Sequence, residues 1–208
     1  MPGAAPDDSR EIALRLKGAR RVVGIDEVGR GPLAGPVTAA AVCLDPDDIP
    51  EGLRDSKELA APRRVELAAA ITARAEVCIA HATVEEIDAL NILGAADLAM
   101  CRAIQGLSAP PCHALIDGNR LPRGLTCPGE AVVGGDGLCL SIAAASIVAK
   151  VARDGLMAEL AREWPGYGWE TNMGYGTSAH RAALQDLGVS PYHRRSFAPV
   201  RNILYQEK

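Results

Sequence analysis

Three strand-like apolar runs of this sequence each end at acidic residues. The acids are Asp26 with Glu27, Asp117 and Asp136. If these strands lie side by side and run the same way, their carboxyl ends meet at one edge of a sheet, where α/β proteins bind ligands. Carboxylates gathered in one crevice repel one another unless a cation neutralises them. The chain offers no His/Cys set at metal-binding spacing, so the expected cation is Mg²⁺ or Mn²⁺. Two such ions suit phosphodiester hydrolysis, because they activate a water and stabilise the leaving oxygen.

The neighbouring acids Asp26 and Glu27 raise a geometric question. Adjacent residues of a regular strand point to opposite faces of the sheet. Gly29 and Gly31 follow closely and allow the backbone to turn, which would let both carboxylates reach one ion. The alternative is that Asp26 alone faces the site and that Glu27 is a surface acid. The spacing leaves both readings open.

The loop after these acids contains Gly29, Arg30 and Gly31, followed by Pro32 and Pro36. Its glycine spacing differs from that of a dinucleotide-binding loop, and the prolines block the helix that would hold a pyrophosphate. Glycines without side chains instead let a substrate approach backbone amides closely. The loop therefore suits a sugar hydroxyl at its amides and a phosphate at Arg30.

Hydrophobic patterns predict a mixed sheet with helices on both faces. The predicted strands are Arg21–Asp26, Val37–Leu44, Val77–Val84, His113–Ile116 and Ala131–Val133. The predicted helices are Pro62–Ala75, Asn91–Leu107, Leu140–Glu163 and one that Thr177 caps and that ends at Leu187, before Gly188.

Length and composition bound the class of protein. The chain has 208 residues, 48% of them hydrophobic, which suits a single domain over 1–208 with residues 1–10 flexible. No stretch predicts a signal peptide or a membrane span, so a cytoplasmic protein with no membrane partner is expected. The six cysteines lack metal-binding spacing, and a zinc site at Cys112, His113 and Cys127 is disfavoured for want of a fourth ligand.

The net charge of −4 argues against a nucleic-acid partner, but its distribution does not. Residues 1–60 carry eight basic against eleven acidic residues, whereas residues 178–208 carry five basic against two acidic ones. A molecule polarised in this way fits a cation site beside a phosphate-binding surface.

Seven segments, in order along the chain, resemble ribonuclease HII, the type 2 ribonuclease H family. They are Asp26–Pro32, Asp55–Lys57, Ile87–Ile92, Ile116–Asn119, Ser141–Asp154, Gly174–His180 and His193–Phe197. The resemblance implies a ribonuclease H-like fold: an α/β protein with a five-stranded mixed sheet flanked by helices and a helical C-terminal segment. That segment, about 165–208, is expected to bind substrate.

The resemblance also implies the site and its chemistry. Four acidic metal ligands correspond to Asp26, Glu27, Asp117 and Asp136, with two ions bound when substrate is present. Gly29, Arg30 and Gly31 would sense the 2′-hydroxyl at an RNA–DNA junction, and Tyr175 would stack on the sugar beyond it. The expected substrates are RNA–DNA hybrids and duplex DNA containing ribonucleotides, cut on the 5′ side of a ribonucleotide to leave 3′-hydroxyl and 5′-phosphate ends.

The fourth acid departs from the family pattern. Gly134 and Gly135 precede Asp136, where the family usually has Lys-Gly. Asp154 is the rival for this position, but it lies in a basic helical stretch, where a structural ion pair is expected. Asp136 is therefore the predicted ligand.

Several polar residues are predicted to bind the phosphate backbone of the duplex. They are Lys57, Lys150, Arg194, Arg195 and Ser196. A solvated surface role is the alternative for the lysines. His180 either orients Tyr175 or caps and packs its own helix, and the sequence does not decide between the two.

Two rival functions differ from this prediction. The type 3 paralogue has an extra N-terminal domain and lacks this Gly-Arg-Gly, so the short N-terminus disfavours it. A non-catalytic hybrid-binding protein is disfavoured by acids at all four positions. A monomer is expected, and a replication clamp is a candidate partner, although no obvious clamp-binding tail follows Phe197.

Overall fold

A computed structural model describes residues 5–205 of the chain. Within this range a mixed sheet has five strands in the order β3-β2-β1-β4-β5. The strands are β1 (Val22–Val28), β2 (Val37–Leu44), β3 (Ala75–Ala82), β4 (His113–Asp117) and β5 (Gly129–Val132). β1, β2 and β3 pair antiparallel, whereas β1, β4 and β5 are parallel. The strands predicted to end near the acids are therefore neighbours that run the same way.

Seven α-helices accompany the sheet in the described residues. They are α1 (Ser9–Leu16), α2 (Ala61–Arg74), α3 (Val84–Gln105), α4 (Leu140–Glu163), α5 (Trp169–Asn172), α6 (Ser178–Leu187) and α7 (Ala198–Leu204). None of the helices described is long and apolar enough to cross a membrane. The cytoplasmic location stays a prediction.

The two faces of the sheet bury alternate residues of β1. Val23 and Ile25 pack with residues of α3 in one core. Gly24 lies on the other face against α4, where a Cβ would come within 2.0 Å of the Ser141 carbonyl carbon. Because side chains alternate along a strand, Asp26 continues the α4 face and Glu27 the α3 face.

The small residues of α4 allow this close packing on the sheet. Ala143, Ala144 and Ala145 have no exposed surface, and they share a core with Ala40 and Val42 of β2. Each packs in van der Waals contact without needing space for a larger side chain. The packing role predicted for this run agrees with these contacts.

The C-terminal segment packs around Trp169, which is fully buried. Its core includes Leu33 and Ala34 from the loop after β1, and Met157 and Leu160 from the end of α4. The segment contains three short helices, α5, α6 and α7, in agreement with the predicted helical C-terminal segment. Because it shares a core with the loop, it is positioned to hold that loop in place.

Most predicted elements are present, with some corrected bounds. α4 and α6 match the prediction, including the Thr177 cap, whose hydroxyl accepts a hydrogen bond from the His180 amide. The predicted helix from Asn91 is present as the second part of α3: Asn91 has a φ of 59°, which interrupts the helix, and its Oδ1 accepts from the amides of Leu93 and Gly94. The first part of α3, which begins at Val84, was not predicted. Thr83 and Glu86 form a capping box there, which the sequence reading overlooked. Helices α1, α5 and α7 were not predicted.

The expected flexibility of residues 1–10 stays a prediction, and the structure describes contacts for part of this segment. Residues 1–4 lie outside the described range. Asp7 forms an isolated bridge with Cys139, and α1 already begins at Ser9. Glu11 is buried and accepts hydrogen bonds at Oε1 from the amide and hydroxyl of Ser141, at 2.9 and 2.6 Å. Glu11 thus caps the N-terminus of α4, whose own N-cap residue forms no side-chain cap bond.

Replacing Glu11 tests this cap. We expect Glu11→Ala to lower the free energy of unfolding by about 1–2 kcal/mol, because two donors at the start of α4 lose their acceptor. Glu11→Gln keeps an acceptor and should lose less. Glu66→Ala, which removes an exposed surface pair with Arg63, is the control and should change stability by less than about 0.5 kcal/mol. Urea unfolding measures all three, and a Glu11→Ala protein as stable as wild type would contradict the cap.

Candidate metal centre and its surroundings

Three of the four predicted acids meet at the carboxyl edge of the parallel strands. Asp26, Asp117 and Asp136 each offer an oxygen, and these oxygens lie within 4.8 Å of one another. Asp26 belongs to β1, Asp117 ends β4, and Asp136 lies in a 3-10 turn, Gly135–Gly137, after β5. Three oxygen donors at this spacing could hold a hard divalent cation.

The turn after β5 is held against Asp117. The Asp117 Oδ1 accepts a 2.7 Å hydrogen bond from the amide of Gly135. Gly134 has a φ of +65°, and a Cβ at position 135 would meet Ile142 Cδ1 at 2.5 Å. Glycine at both positions therefore lets the chain turn tightly enough to bring Asp136 to the end of β4.

Burial and mutual repulsion act on the ionisation of these acids. Burial raises the pKa of Asp26 well above its ordinary value, and the charges of Glu27 and Asp117 raise it further. Burial, followed by the charge of Asp136, also raises the pKa of Asp117. A bound cation would favour the ionised forms and remove this repulsion. The donor set therefore fits a metal that prefers oxygen ligands.

Lys57 provides positive charge at the edge of the cluster. Its Nζ donates to Asp136 Oδ2 at 3.0 Å and lies 3.5 Å from Asp55 Oδ1. Although burial lowers it, the bond to Asp136 and the nearby charges raise the pKa of Lys57 above its ordinary value. The side chain is 76% exposed, so it remains accessible to a phosphate beside the cluster.

Glu27 lies on the other face of β1, as strand alternation requires. The expectation that the backbone turns to bring Glu27 beside Asp26 was wrong, because β1 continues through Val28 and the left-handed residue is Gly29, with φ +92°. Glu27 is not a surface acid either, since its side chain is only 10% exposed. Its Oε1 accepts from Arg30 Nη1 at 3.1 Å.

A cavity of about 260 Å³ lies on this second face and reaches Asp117 of the cluster. It is lined by Glu27, Arg30, Asp97, Asp117 and Arg120 among others. Burial raises the pKa of Glu27, Arg30 opposes this rise, and the charge of Asp117 adds to it. Asp117 therefore interacts electrostatically with Asp26 on one side and Glu27 on the other.

The rival acid Asp154 is elsewhere and already paired. Both of its oxygens accept from Lys150 Nζ, at 2.6 and 2.7 Å. This is the structural ion pair predicted for Asp154, and it also engages Lys150, one of the predicted phosphate contacts. The geometry thus favours Asp136 over Asp154 as the third member of the cluster.

The residues around the paired arginines have different environments. The prediction of Arg194 as a surface contact to the duplex was wrong, because Arg194 is fully buried and donates to backbone carbonyls of the loop after β1. Arg195 is exposed. The hydroxyl of Ser196 donates to Asp88 Oδ1 at 2.6 Å.

Tyr175 lies beside the glycine loop, as the resemblance implies. Its side chain is exposed, and its Cε1 lies 3.5 Å from the position of a Cβ at Gly31. Behind it, His180 Nδ1 lies 2.9 Å from the Tyr175 carbonyl oxygen. His180 therefore holds the backbone of Tyr175, and its helix is also capped by Thr177. The His180 ring is thus bonded to the backbone of Tyr175 and buried, whereas the cap of the helix is Thr177 and not His180.

A buried network fixes the protonation of the two histidines behind Tyr175. Trp169 Nε1 donates to His180 Nε2 at 3.0 Å, so that nitrogen is an acceptor and Nδ1 carries the proton. His193 Nε2 must then donate to His180 Nε2, at 3.1 Å, while its Nδ1 accepts from Ser190. Burial lowers the pKa of His180, and burial together with His180 lowers the pKa of His193 to about 4. The network requires both rings to be neutral.

Several residues near the site were not predicted from the sequence. Arg120 and Asp97 form a bidentate ion pair beside Glu27, and Arg153 is a buried arginine that contacts the loop after β1. Arg120 follows Asp117-Gly118-Asn119 directly, which was the available signal. Arg153 gave none, because a single arginine in a helix usually predicts an exposed face.

Comparison with known proteins decides the family. A family model described as Ribonuclease HII matches residues 23–200. A protein of Paracoccus denitrificans named Ribonuclease HII is 65% identical over 203 residues, which cover 98% of this chain and 97% of that protein. The chain belongs to the ribonuclease HII family. The predicted family is confirmed, and with it the assignment as a metal-dependent endonuclease of the type 2 ribonuclease H class.

Solved structures confirm the ribonuclease H-like fold of this ribonuclease HII chain. The ribonuclease H2 of Pyrococcus horikoshii OT3 has a TM-score of 0.77 at 24% identity, covering 88% of this chain and 96% of that one. The RNase HII of Archaeoglobus fulgidus in a PCNA complex has a TM-score of 0.72 at 25% identity, covering 90% and 98%. Bst-RNase HIII in complex with Mn²⁺ has a TM-score of 0.69 at 18% identity, covering 98% and 75%.

The neutral histidine network predicts a pH-dependent stability. The unfolded chain binds a proton at His193 more readily than the folded chain between pH 6.5, the ordinary histidine pKa, and about 4. The stabilisation is therefore complete above pH 6.5 and is lost as the pH falls towards 4. His193→Gln removes this titration, so the difference in unfolding free energy between wild type and variant should shrink on acidification. The expected slope is at most about 1.4 kcal/mol per pH unit, measured by urea unfolding. A difference that stays constant from pH 7 to pH 4.5 would argue against neutral rings.

Proposed function

We propose that this ribonuclease HII chain hydrolyses the phosphodiester on the 5′ side of a ribonucleotide, leaving 3′-hydroxyl and 5′-phosphate ends. Its substrates would be RNA–DNA hybrids and duplex DNA with embedded ribonucleotides. Its biological role would be the removal of misincorporated ribonucleotides and of residual primer RNA. The observation that carries the proposal is the carboxylate cluster of Asp26, Asp117 and Asp136. Asp26 lies three residues before the Gly29–Gly31 loop, and Tyr175 lies beside that loop.

The acids would hold Mg²⁺ or Mn²⁺. Asp26, Asp117 and Asp136 form one set of oxygen ligands. Glu27 offers a fourth carboxylate near Asp117, on the other face of β1. When bound, a pair of such ions would activate a water and stabilise the leaving 3′ oxygen. The protein's own part is to fix the carboxylates on separate elements, so that little reorganisation is needed when the substrate arrives.

Recognition of the ribonucleotide would fall to the loop and to Tyr175. The amides of the Gly29–Gly31 loop are uncovered by side chains and suit a sugar hydroxyl, the group that distinguishes RNA from DNA. The exposed ring of Tyr175 beside Gly31 offers an apolar surface for the neighbouring sugar. Lys57, Arg30 and the exposed Arg195 are the predicted cations that would contact phosphates of the duplex.

Protein partners are a separate part of the proposal. The related Archaeoglobus fulgidus protein is described in a complex with PCNA, so a replication clamp is a candidate partner of this chain. Cleavage itself needs residues of one chain only, since the cluster, the loop and Tyr175 all belong to it. We therefore propose that the monomer is active.

A nicking assay tests the proposed chemistry. Wild-type protein should nick a DNA duplex bearing one ribonucleotide in the presence of Mg²⁺ or Mn²⁺ and should stop when EDTA is added. Asp26→Asn should lower the single-turnover rate at least about a hundredfold, because an ion ligand is lost. It should unfold at the same or a higher urea concentration than wild type, since removing one crowded carboxylate relieves repulsion.

The matched control is Asp154→Asn, which changes the rival acid that Lys150 holds outside the cluster. It should nick at nearly the wild-type rate. If Asp26→Asn stays active while Asp154→Asn does not, the site has been assigned wrongly. Tight binding of the duplex by wild type without any metal-dependent nick would favour the non-catalytic hybrid-binding alternative.

A further inference from the structure

Arg194 is buried beneath the loop that precedes the second strand, and its guanidinium binds four backbone carbonyls. Its Nε donates to Gly35 at 2.9 Å and its Nη1 to Arg30 at 2.9 Å. Its Nη2 donates to Gly29 at 2.6 Å and to Pro36 at 3.2 Å. A buried cation costs free energy unless its donors are satisfied, and here backbone dipoles satisfy them. Over residues 5–205, Arg194 forms no ion pair with a carboxylate.

Arg153 supports the same loop from helix α4. It donates to the carbonyls of Ala34, at 3.2 Å, and Pro36, at 3.0 Å. Its third bond, at 3.0 Å, goes to the carbonyl of Met173, two residues before Tyr175. Burial and the neighbouring Arg153 lower the pKa of Arg194 to about 9, so the Arg194 guanidinium stays charged at neutral pH. Two basic side chains are thus buried under one loop despite their mutual repulsion. This suggests that their bonds to the loop carbonyls are needed to hold its conformation.

The carbonyl bonds of Arg194 decide which way the loop amides point. In a trans peptide the C=O and the N–H lie in one plane and point in opposite directions. The described chain has no cis peptide bond. Because the carbonyls of Gly29 and Arg30 point inward at Arg194, the amides of Arg30 and Gly31 point away from it. Within the described residues no protein acceptor binds either amide.

The conformation also depends on glycine at position 29. Gly29 has a φ of +92°, and a Cβ there would come within 2.1 Å of Arg153 Nε. Gly31 is next to the exposed ring of Tyr175. The two uncovered amides are therefore adjacent to the surface proposed to receive the ribonucleotide sugar, and the two buried arginines hold that surface from below.

We propose that Arg194 is a positioning residue for ribonucleotide selectivity: it fixes the two peptide planes of Gly29–Gly31 so that their amides donate to the sugar 2′-hydroxyl. The inference rests on the proposed function and concerns how the protein distinguishes a ribonucleotide from a deoxyribonucleotide. A rotated peptide would present a carbonyl in place of an amide, and the hydroxyl would lose its donor. A lysine cannot replace Arg194, because one ammonium cannot reach carbonyls on several sides in the way the planar fork does.

This role is tested by comparing the affinities of variants for a duplex with one ribonucleotide and for an all-DNA duplex. The proteins are Arg194→Lys, Arg194→Met and the control Arg21→Met, each combined with Asp26→Asn so that the duplex is not cut. Arg21 likewise donates to a backbone carbonyl, that of Ala109 at 2.9 Å, but near the start of β1. Fluorescence anisotropy gives the affinity for a DNA duplex with one ribonucleotide and for the same duplex in all-DNA form. The ratio of the two affinities is insensitive to the fraction of folded protein.

We expect both Arg194 variants to lower the ratio about tenfold, the loss of roughly one hydrogen bond, while affinity for the all-DNA duplex stays within about twofold. The Arg21→Met control should keep the parent ratio. A folded Arg194→Lys protein with the parent ratio would overturn the inference, and so would an equal loss of affinity for both duplexes. If Arg194→Met does not fold, Arg194→Lys decides alone, since it retains the buried charge. Failure of the proposed function would look different, because the parent protein itself would then show no preference for the ribonucleotide.

Discussion

Three carboxylates, Asp26, Asp117 and Asp136, are held within 4.8 Å of one another although burial and their own repulsion oppose full ionisation. No single element could hold them. The parallel order of β1, β4 and β5 brings three chain segments to one edge, and the amide of Gly135 fixes Asp117 against the turn that carries Asp136. Lys57 offsets part of the charge. The remaining repulsion would favour a hard cation at this site, because a bound cation would let all three carboxylates ionise together.

Helix α4 connects this cluster to the loop proposed to recognise the sugar. At its start, Glu11 caps the helix, and its alanines pack directly on β1 and β2. Nearby, the hydroxyl of Ser146 lies 2.8 Å from that of Ser56, and Ser146 opposes the rise in the pKa of Asp26 that burial causes. Two turns further on, Arg153 binds the carbonyls under the loop, and Met157 packs against Gly35. One helix therefore supports both the carboxylate cluster and the loop after β1, and a shift of α4 would disturb both.

The sequence predicted the parts whose physical cause is local. The alternation of side chains along β1, the Thr177 cap and the small residues of α4 could be recognised in the sequence. The convergence of the acids was predicted because three predicted strands each end at an acid. The errors arose where a tertiary contact decides the outcome. Arg194 has the composition of a surface residue, and only the packing of the C-terminal segment shows that it lies beneath the loop. The site of Glu27 depended on where β1 ends, and the strand runs one residue past the acid before Gly29 turns it.

The central claim is that the three aspartates form one metal site. Crystals grown with Mn²⁺ and measured near the manganese absorption edge test it directly, because anomalous scattering locates the ion independently of any assumption about activity. The strongest anomalous peak should lie within coordinating distance of carboxylate oxygens from Asp26, Asp117 and Asp136. A protein saturated with Mn²⁺ whose strongest peak lies away from all three would contradict the account.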